Sequence, residues 1–214
     1  MNAEDVAVWL KEHPEFFEQY AEMIADINIP HPHGGRTIPI SERQILSLRD
    51  RSKQLEGKLR EIIQFGEEND AIGEKMHRAA LALMGARDLP TVINVTHYHL
   101  REDFAVPHVV LRLWHANTQD LPEFAPVSEA TRSLTDSLTH PHCSTHAVAD
   151  TASLFGGAAP HLKSFAYVPL RSTDTFGLLA LASEDQHRFY PEMGTMFLSR
   201  LGDMIDAALL RYLG

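Results

Sequence analysis

The chain has 214 residues, 44% of them apolar and 22% charged, with a formal net charge of −10. That length suits one ordinary domain with an appendage, and the composition excludes a disordered chain, which would be poor in apolar residues and rich in charge. Acidic residues outnumber basic ones on both sides of Ala86, so direct nucleic-acid binding, which needs clustered Lys and Arg to neutralise phosphates, is disfavoured.

From Ala3 to Ile29, apolar residues fall at Val6, Trp9 and Leu10, then at Phe16, Phe17, Tyr20, Ile24 and Ile27. Spacings of three and four predict short amphipathic helices. Pro14 divides them, because its missing N–H is harmless only where a helix opens. The prolines and glycines between Ile29 and Arg36 predict a turn or linker.

The stretch from Ser41 to about Met84 reads as one long helix with Ser41 as N-cap. With Ile45 at position a, the a positions are Ile45, Ser52, Leu59, Gly66, Gly73 and Ala80. The d positions are Leu48, Leu55, Ile62, Asn69, Met76 and Leu83. Such a register predicts a coiled coil, with Ile45, Leu48, Leu55, Leu59, Ile62, Met76 and Leu83 as the dimer interface. The seam is bulky as far as Ile62. Beyond it, Gly66, Gly73 and Asn69 weaken it, and the helix is expected to enter a larger bundle, where the glycines permit close approach or a bend. A helix folded back along its own domain is the competing reading.

The remainder predicts a helix over Leu89–Leu100, a strand over Val106–Trp114 and a helix over Val127–Leu138. Strands at Ser164–Leu170 and Thr175–Ala182 follow, joined by Arg171-Ser-Thr-Asp174, and a helix spans Glu192–Leu213. This order predicts an α+β fold: an antiparallel sheet flanked by helices, preceded by short helices and a long coiled-coil helix. The expected organisation is a short helical segment and linker over 1–38, the dimerisation helix over 39–86 and a globular domain over 87–214.

Met1–Leu10 contains Glu4 and Asp5 and lacks a basic stretch before an apolar run, and no segment approaches ~18 uninterrupted apolar residues. The single cysteine, Cys143, excludes an intrachain disulfide and fits a reducing compartment. A soluble, cytoplasmic protein with no membrane association is expected.

Ser164-Phe-Ala-Tyr-Val-Pro-Leu170, a short polar turn and Phe176-Gly-Leu-Leu-Ala-Leu-Ala-Ser183 resemble the closing hairpin of GAF domains. More narrowly, the chain resembles the bacterial domain-of-unknown-function family numbered 484. The similarity lies in Asp5-Val-Ala-Val-Trp-Leu-Lys-Glu-His-Pro-Glu-Phe-Phe17, Ile29-Pro-His, Gly34-Gly35, Glu42-Arg-Gln44 and Leu48-Arg49. Near the other end it lies in Arg188-Phe189, Pro191-Glu-Met-Gly-Thr195 and Phe197-Leu198. The resemblance implies a GAF-like fold behind a coiled-coil helix, without an established activity. GAF relatives at large bind cyclic nucleotides, tetrapyrroles, metabolites or metal centres, or serve only in dimerisation. Pro141-His-Cys-Ser144 departs from the expected Pro-x-Cys-Gly, and serine is unsuited to a position that requires positive φ.

His140, His142, Cys143 and His146 offer three imidazoles and a thiol within seven residues, the ligand types zinc favours, but at a spacing that matches no zinc motif. His97, His99, His115 and His161 are more distant candidates to join them. Cys143 beside His142 or His146 is a candidate nucleophile, although disulfide recycling needs a second thiol. No phosphate loop, dinucleotide fingerprint or nucleophile elbow is present. Gly156-Gly157 reads as a loop turn, and Asp174 and Glu184-Asp185 as solvated charges.

If the fold is GAF-like, its pocket should lie between the sheet and the elements covering one face. Arg112, Trp114, His142, Cys143, His146, Phe155 and Tyr167 are the candidates to line it. The expected function is a non-enzymatic sensor or adaptor that binds a small molecule or protein partner and signals through a homodimeric helix. A structural dimerisation protein without ligand and a metal-binding or thiol enzyme are the alternatives. The residues identify no cofactor.

Overall fold

The structure, a computed structural model, describes residues 2–30, 37–114 and 120–213. The chain divides into two compact units, Met1–Glu68 and Asn69–Gly214. It passes from one to the other within a single long helix.

In the first unit, helices α1 (Ala3–Glu12), α2 (Glu15–Gln19) and α3 (Ala21–Asp26) follow the predicted amphipathic spacings. Asn2 and Asp5 cap α1 reciprocally. The Asp5 N–H donates to Asn2 Oδ1 at 2.7 Å and the Asn2 N–H donates to Asp5 Oδ2 at 2.9 Å. Pro14 directly precedes α2, where its ring replaces an N–H with no helical partner. The Trp9 ring meets Phe16 edge-on across the first two helices, with centroids 5.6 Å apart, while Trp9 stacks on His13 and Phe16 on Tyr20 within each.

Strands β1 (Asn28–Pro30) and β2 (Thr37–Pro39) pair antiparallel, with Ile29 opposite Ile38. The sequence predicts only a linker here, and its residues 31–36, including Gly34 and Gly35, lie outside the described residues. Helix α4 (Ile40–Gly85) follows, so Ser41 stands inside its first turn and is not the residue before it. The helix runs unbroken through Gly66 and Gly73, and a Cβ at either would meet nothing of this chain within 4 Å.

The second unit is built on a four-stranded sheet of β3 (His108–Leu113), β4 (His142–Ser144), β5 (Ser164–Arg171) and β6 (Thr175–Ser183). All its pairings are antiparallel, in the order β3-β6-β5-β4. Helices α5 (Leu89–Tyr98), α6 (Glu129–Ser137) and α7 (Met196–Leu213) flank it, which is the predicted α+β architecture. Asp88 and Ser128 cap α5 and α6 by accepting from Thr91 and Thr131 N–H. Helix α5 continues into one π-helical turn, His99–Asp103, and α7 begins at Met196, four residues later than predicted.

Strands β5 and β6 are apolar along nearly their whole length because both faces of the sheet are covered. On one face, Val92, Leu100, Leu111, Leu179, Ile205 and Leu209 form the larger core. Met76 and Leu83 of α4 join it at 9% and 3% exposure. Their expected place in an intermolecular seam is corrected: from Ile72 onward the stripe Ile72, Met76, Ala79, Leu83 and Ala86 turns to the chain's own core. On the other face, Phe155, Phe165, Tyr167, Leu178, Ala180 and Ala182 form a second cluster beneath a 3-10 segment, Thr151–His161. Gly156 inside that segment has φ of +53°, the left-handed region where glycine carries no steric cost.

Helix α7 holds α4 from its far end. The Tyr212 hydroxyl donates to the Ala86 carbonyl at 2.7 Å, and the Arg211 guanidinium donates to the carbonyls of Leu83 and Ala86 at 3.4 Å. A cation and a hydroxyl thus satisfy carbonyls that a helix leaves orphaned at its C-terminus. Gly202 lets α7 approach β5: a Cβ there would stand 2.7 Å from Val168 Cγ1.

Arg171 performs a similar capping for α6, donating from Nη2 to the Leu138 carbonyl at 2.6 Å and to that of Asp136 at 3.2 Å. Its backbone N–H donates to Asp206 Oδ2 on α7 at 3.2 Å, while Asp206 Oδ1 is buried without a partner. Burial pushes the Asp206 carboxyl up to about 7, reinforced by Asp203 and opposed by the Arg171 N–H and charge. A raised acid pKa means the folded state holds a proton that the unfolded state releases. Stability is therefore fullest below about pH 4 and falls as pH rises to about 7. Asp206→Asn is expected to remove this loss. Discounting for its partial exposure, the variant should gain on the order of 1–2 kcal/mol over the parent at pH 8 and much less at pH 5. Urea denaturation at the two pH values checks it, and an equal effect at both would contradict it.

Candidate functional site

The predicted pocket residues divide between the two faces of the sheet. Strand alternation puts Cys143 opposite Ala166, in the larger core, whereas His142 stands opposite Tyr167 on the other side. Phe155 and Tyr167 are brought together in the second cluster, with Trp114 packed against it. Arg112 lies half-buried on the edge strand β3, opposite in direction to Leu111 and Leu113, and donates to the Leu111 carbonyl at 2.9 Å.

This second face is closely packed. Tyr167 is fully buried, stacked on Phe165, and its hydroxyl meets Thr151 Oγ1 at 2.8 Å and the Val148 N–H at 3.2 Å. At its margin lies a polar recess of about 450 Å³ lined by Trp114, Arg132, Asp136, Arg171 and Asp174. There the Trp114 indole donates to the Thr175 carbonyl at 3.1 Å, and the Arg132 guanidinium lies over its ring at 5.7 Å.

The His/Cys loop diverges. His140, His142 and His146 are exposed while Cys143 points inward at 4% exposure, and His146 Nδ1 meets Thr145 Oγ1 at 2.9 Å. Ser144 lies in β4, and among the described residues the non-glycine ones with positive φ are Ala105 and Ala149, so serine is accommodated where glycine was expected. Burial raises the Cys143 thiol, the opposite of what activates a nucleophile. Of the more distant histidines, His97 approaches Glu123 at 3.5 Å and His99 meets Asp103 at 2.5 Å. His161 ends the 3-10 segment, and His115 lies outside the described residues. No group of three or more His, Cys, Asp or Glu is placed to hold a metal ion among the described residues. Glu184, read as a solvated charge, meets His108 at 2.8 Å.

A cavity of about 550 Å³ lies on the face of the larger core and is lined by none of the predicted pocket residues, although Met76, predicted for the dimer seam, borders it. Helix α4 gives it Ile72, Lys75 and Met76. The segment after α5 supplies Phe104, and the approach to α7 supplies Arg188, Phe189, Met193 and Phe197. The Arg188 guanidinium donates to the Phe104 carbonyl and lies 5.9 Å from the Phe189 ring centroid, fixing one wall. Phe104 precedes Ala105, whose φ of +50° turns the chain back toward β3. The volume falls in the range of small-molecule sites, and the lining, apolar with a few polar groups, has their usual character. Arg188-Phe189, Met193 and Phe197 are conspicuous in the sequence as family-like motifs. Nothing in their spacing signals that they meet α4.

An antiparallel sheet flanked by helices, with the end of a long helix walling its cavity, defines an α+β architecture. The model of DUF484, described as a protein of unknown function, matches residues 1–214, and the chain belongs to that family. Among solved structures, the native GAF domain of the potassium sensor histidine kinase KdpD from Escherichia coli is similar at 16% identity and a TM-score of 0.43. The match covers 65% of this chain and 93% of that one. No curated protein matches. No helix among the described residues is long and apolar enough to cross a membrane.

Proposed function

We propose that the chain is a non-enzymatic, cytoplasmic sensor or adaptor that pairs with a second copy through α4 and binds a small molecule in the cavity which that helix walls. The row Ile45, Leu48, Leu55, Leu59 and Ile62 carries the reading: each side chain is 50–65% exposed, on a helix of 46 residues. Bulky apolar groups at heptad spacing gain about 1.5–3 kcal/mol apiece when fully buried, and a second copy offers the matching row. Further along, the same helix is fixed in the core by Met76 and Leu83 and touches the cavity through Ile72 and Lys75. A ligand that favours one placement of α4 therefore biases the paired segment, which is how binding shifts a conformational equilibrium.

Sedimentation equilibrium of the full chain over a wide concentration range tests the pairing. The expected mass is twice that of one chain, and a lone chain at every concentration would sink it. The close packing of Phe155, Phe165 and Tyr167 on the second face favours a second reading, a dimerisation protein without ligand. Native mass spectrometry separates the two by the presence or absence of a retained small molecule.

A further inference from the structure

Two cations stand at the cavity, and neither has a carboxylate partner among the described residues. Lys75 is half-buried on α4 and belongs to no ion pair described. Arg188 is bound to a neutral carbonyl, that of Phe104. The acid on the lining, Asp185, is turned to local use: its carboxylate accepts from the His187 N–H at 2.9 Å. Apart from His187, the rest of the wall is apolar, with Phe104, Phe189, Met193 and Phe197. In a chain of formal charge −10, a positive site beside an apolar hollow is a local inversion of the overall field.

We infer that the cavity binds an anionic amphipath, a monocarboxylate with an aliphatic body, its chain against Phe189, Met193 and Phe197 and its carboxylate at Lys75 and Arg188. The inference deepens the sensor reading by naming the ligand class, and it rests on the cavity being that sensor's site. Arg188 is preorganised by the Phe104 carbonyl, so a carboxylate arriving there orders few new side chains. Lys75 is a flexible point charge on α4 and gains an ionic partner only when the ligand is present. Charge recognition is thus shared between Lys75, on the helix that carries the apolar row, and Arg188 of the sheet domain.

Isothermal titration calorimetry of the full chain tests the assignment with decanoate as probe and decanol as its uncharged counterpart. Decanoate is expected to bind once per chain, at least about tenfold tighter than decanol. Lys75→Met, which keeps the aliphatic stem and the helix propensity, should lower decanoate affinity by at least about tenfold and leave decanol unchanged. Met193→Trp, which fills the hollow, should weaken both, with the unfolding midpoint of each variant confirming its fold. Decanol binding as tightly as decanoate, or Lys75→Met without effect, overturns the anionic class while leaving a ligand cavity in place. Binding of neither probe overturns the assignment, and the sedimentation result then decides by itself whether the paired-helix reading survives.

Discussion

Glutamate at both Leu55 and Leu59 is expected to abolish the proposed pairing through α4 and leave single chains. These residues occupy successive d and a positions of α4 and are 59% and 57% exposed within the chain. The substitution therefore removes little that the lone chain uses. In a pair it removes four bulky side chains from the seam and brings like charges together. At about 1.5–3 kcal/mol for each buried side chain, the loss should weaken association by a factor of roughly a thousand or more. Sedimentation equilibrium measures that loss, and unfolding of the sheet domain should keep its midpoint. The contrast is Met76→Ala or Leu83→Ala, residues of the same predicted register that lie in the chain's own core. These should cost about 2–5 kcal/mol of stability, as large-to-small core substitutions do. Persistent dimers in the double glutamate variant would refute the seam.

Gly202→Val is expected to destabilise the sheet domain by about 3 kcal/mol, because two physical effects oppose each other and the steric one is larger. Replacing a mid-helix glycine ordinarily favours the helix, by up to about 1 kcal/mol for alanine. At Gly202, however, even a Cβ would meet Val168 Cγ1 at 2.7 Å, inside the packed contact between α7 and β5. Valine must displace the helix or the strand. Urea denaturation of Gly202→Ala, Gly202→Val and Gly202→Ala combined with Val168→Ala resolves the balance. The combined variant should lose less than the two single changes added, since shortening Val168 clears the collision. If Gly202→Ala alone raised the stability, the helix preference would outweigh the contact and the packing argument would fail.

Much of the fold is legible in the residues because its signals are local. The heptads from Ile45 to Ile62, the helix-opening Pro14 and the two apolar runs around Arg171–Asp174 each specify an element without reference to anything distant. The three-residue strand at His142–Ser144 is different: it is defined by Phe165 and Tyr167 across the ladder, and its own composition reads as loop. The site is less legible for the same reason. Cys143 and Tyr167 both belong to paired strands, but strand alternation sends them to opposite faces. The cavity draws on positions around 75, 104 and 190, whose meeting depends on how α4 and α7 pack against the sheet. Periodicity showed that α4 has an apolar stripe. The glycines beyond Ile62 point to a helix entering a larger bundle, but nothing in the register shows that Met76 and Leu83 leave the seam for the chain's own interior.

The tie between α7 and the end of α4 has a consequence for the order of folding. Tyr212 and Ala86 are separated by 126 positions along the chain, and Arg211 and Leu83 by 128. The hydrogen bonds of α4 itself span only four residues and form early, whereas contacts of such separation form late. Most of a helix's stability in a protein comes from packing its apolar face, so the part of α4 around Met76 and Leu83 gains that support only once α7 and the sheet have come together.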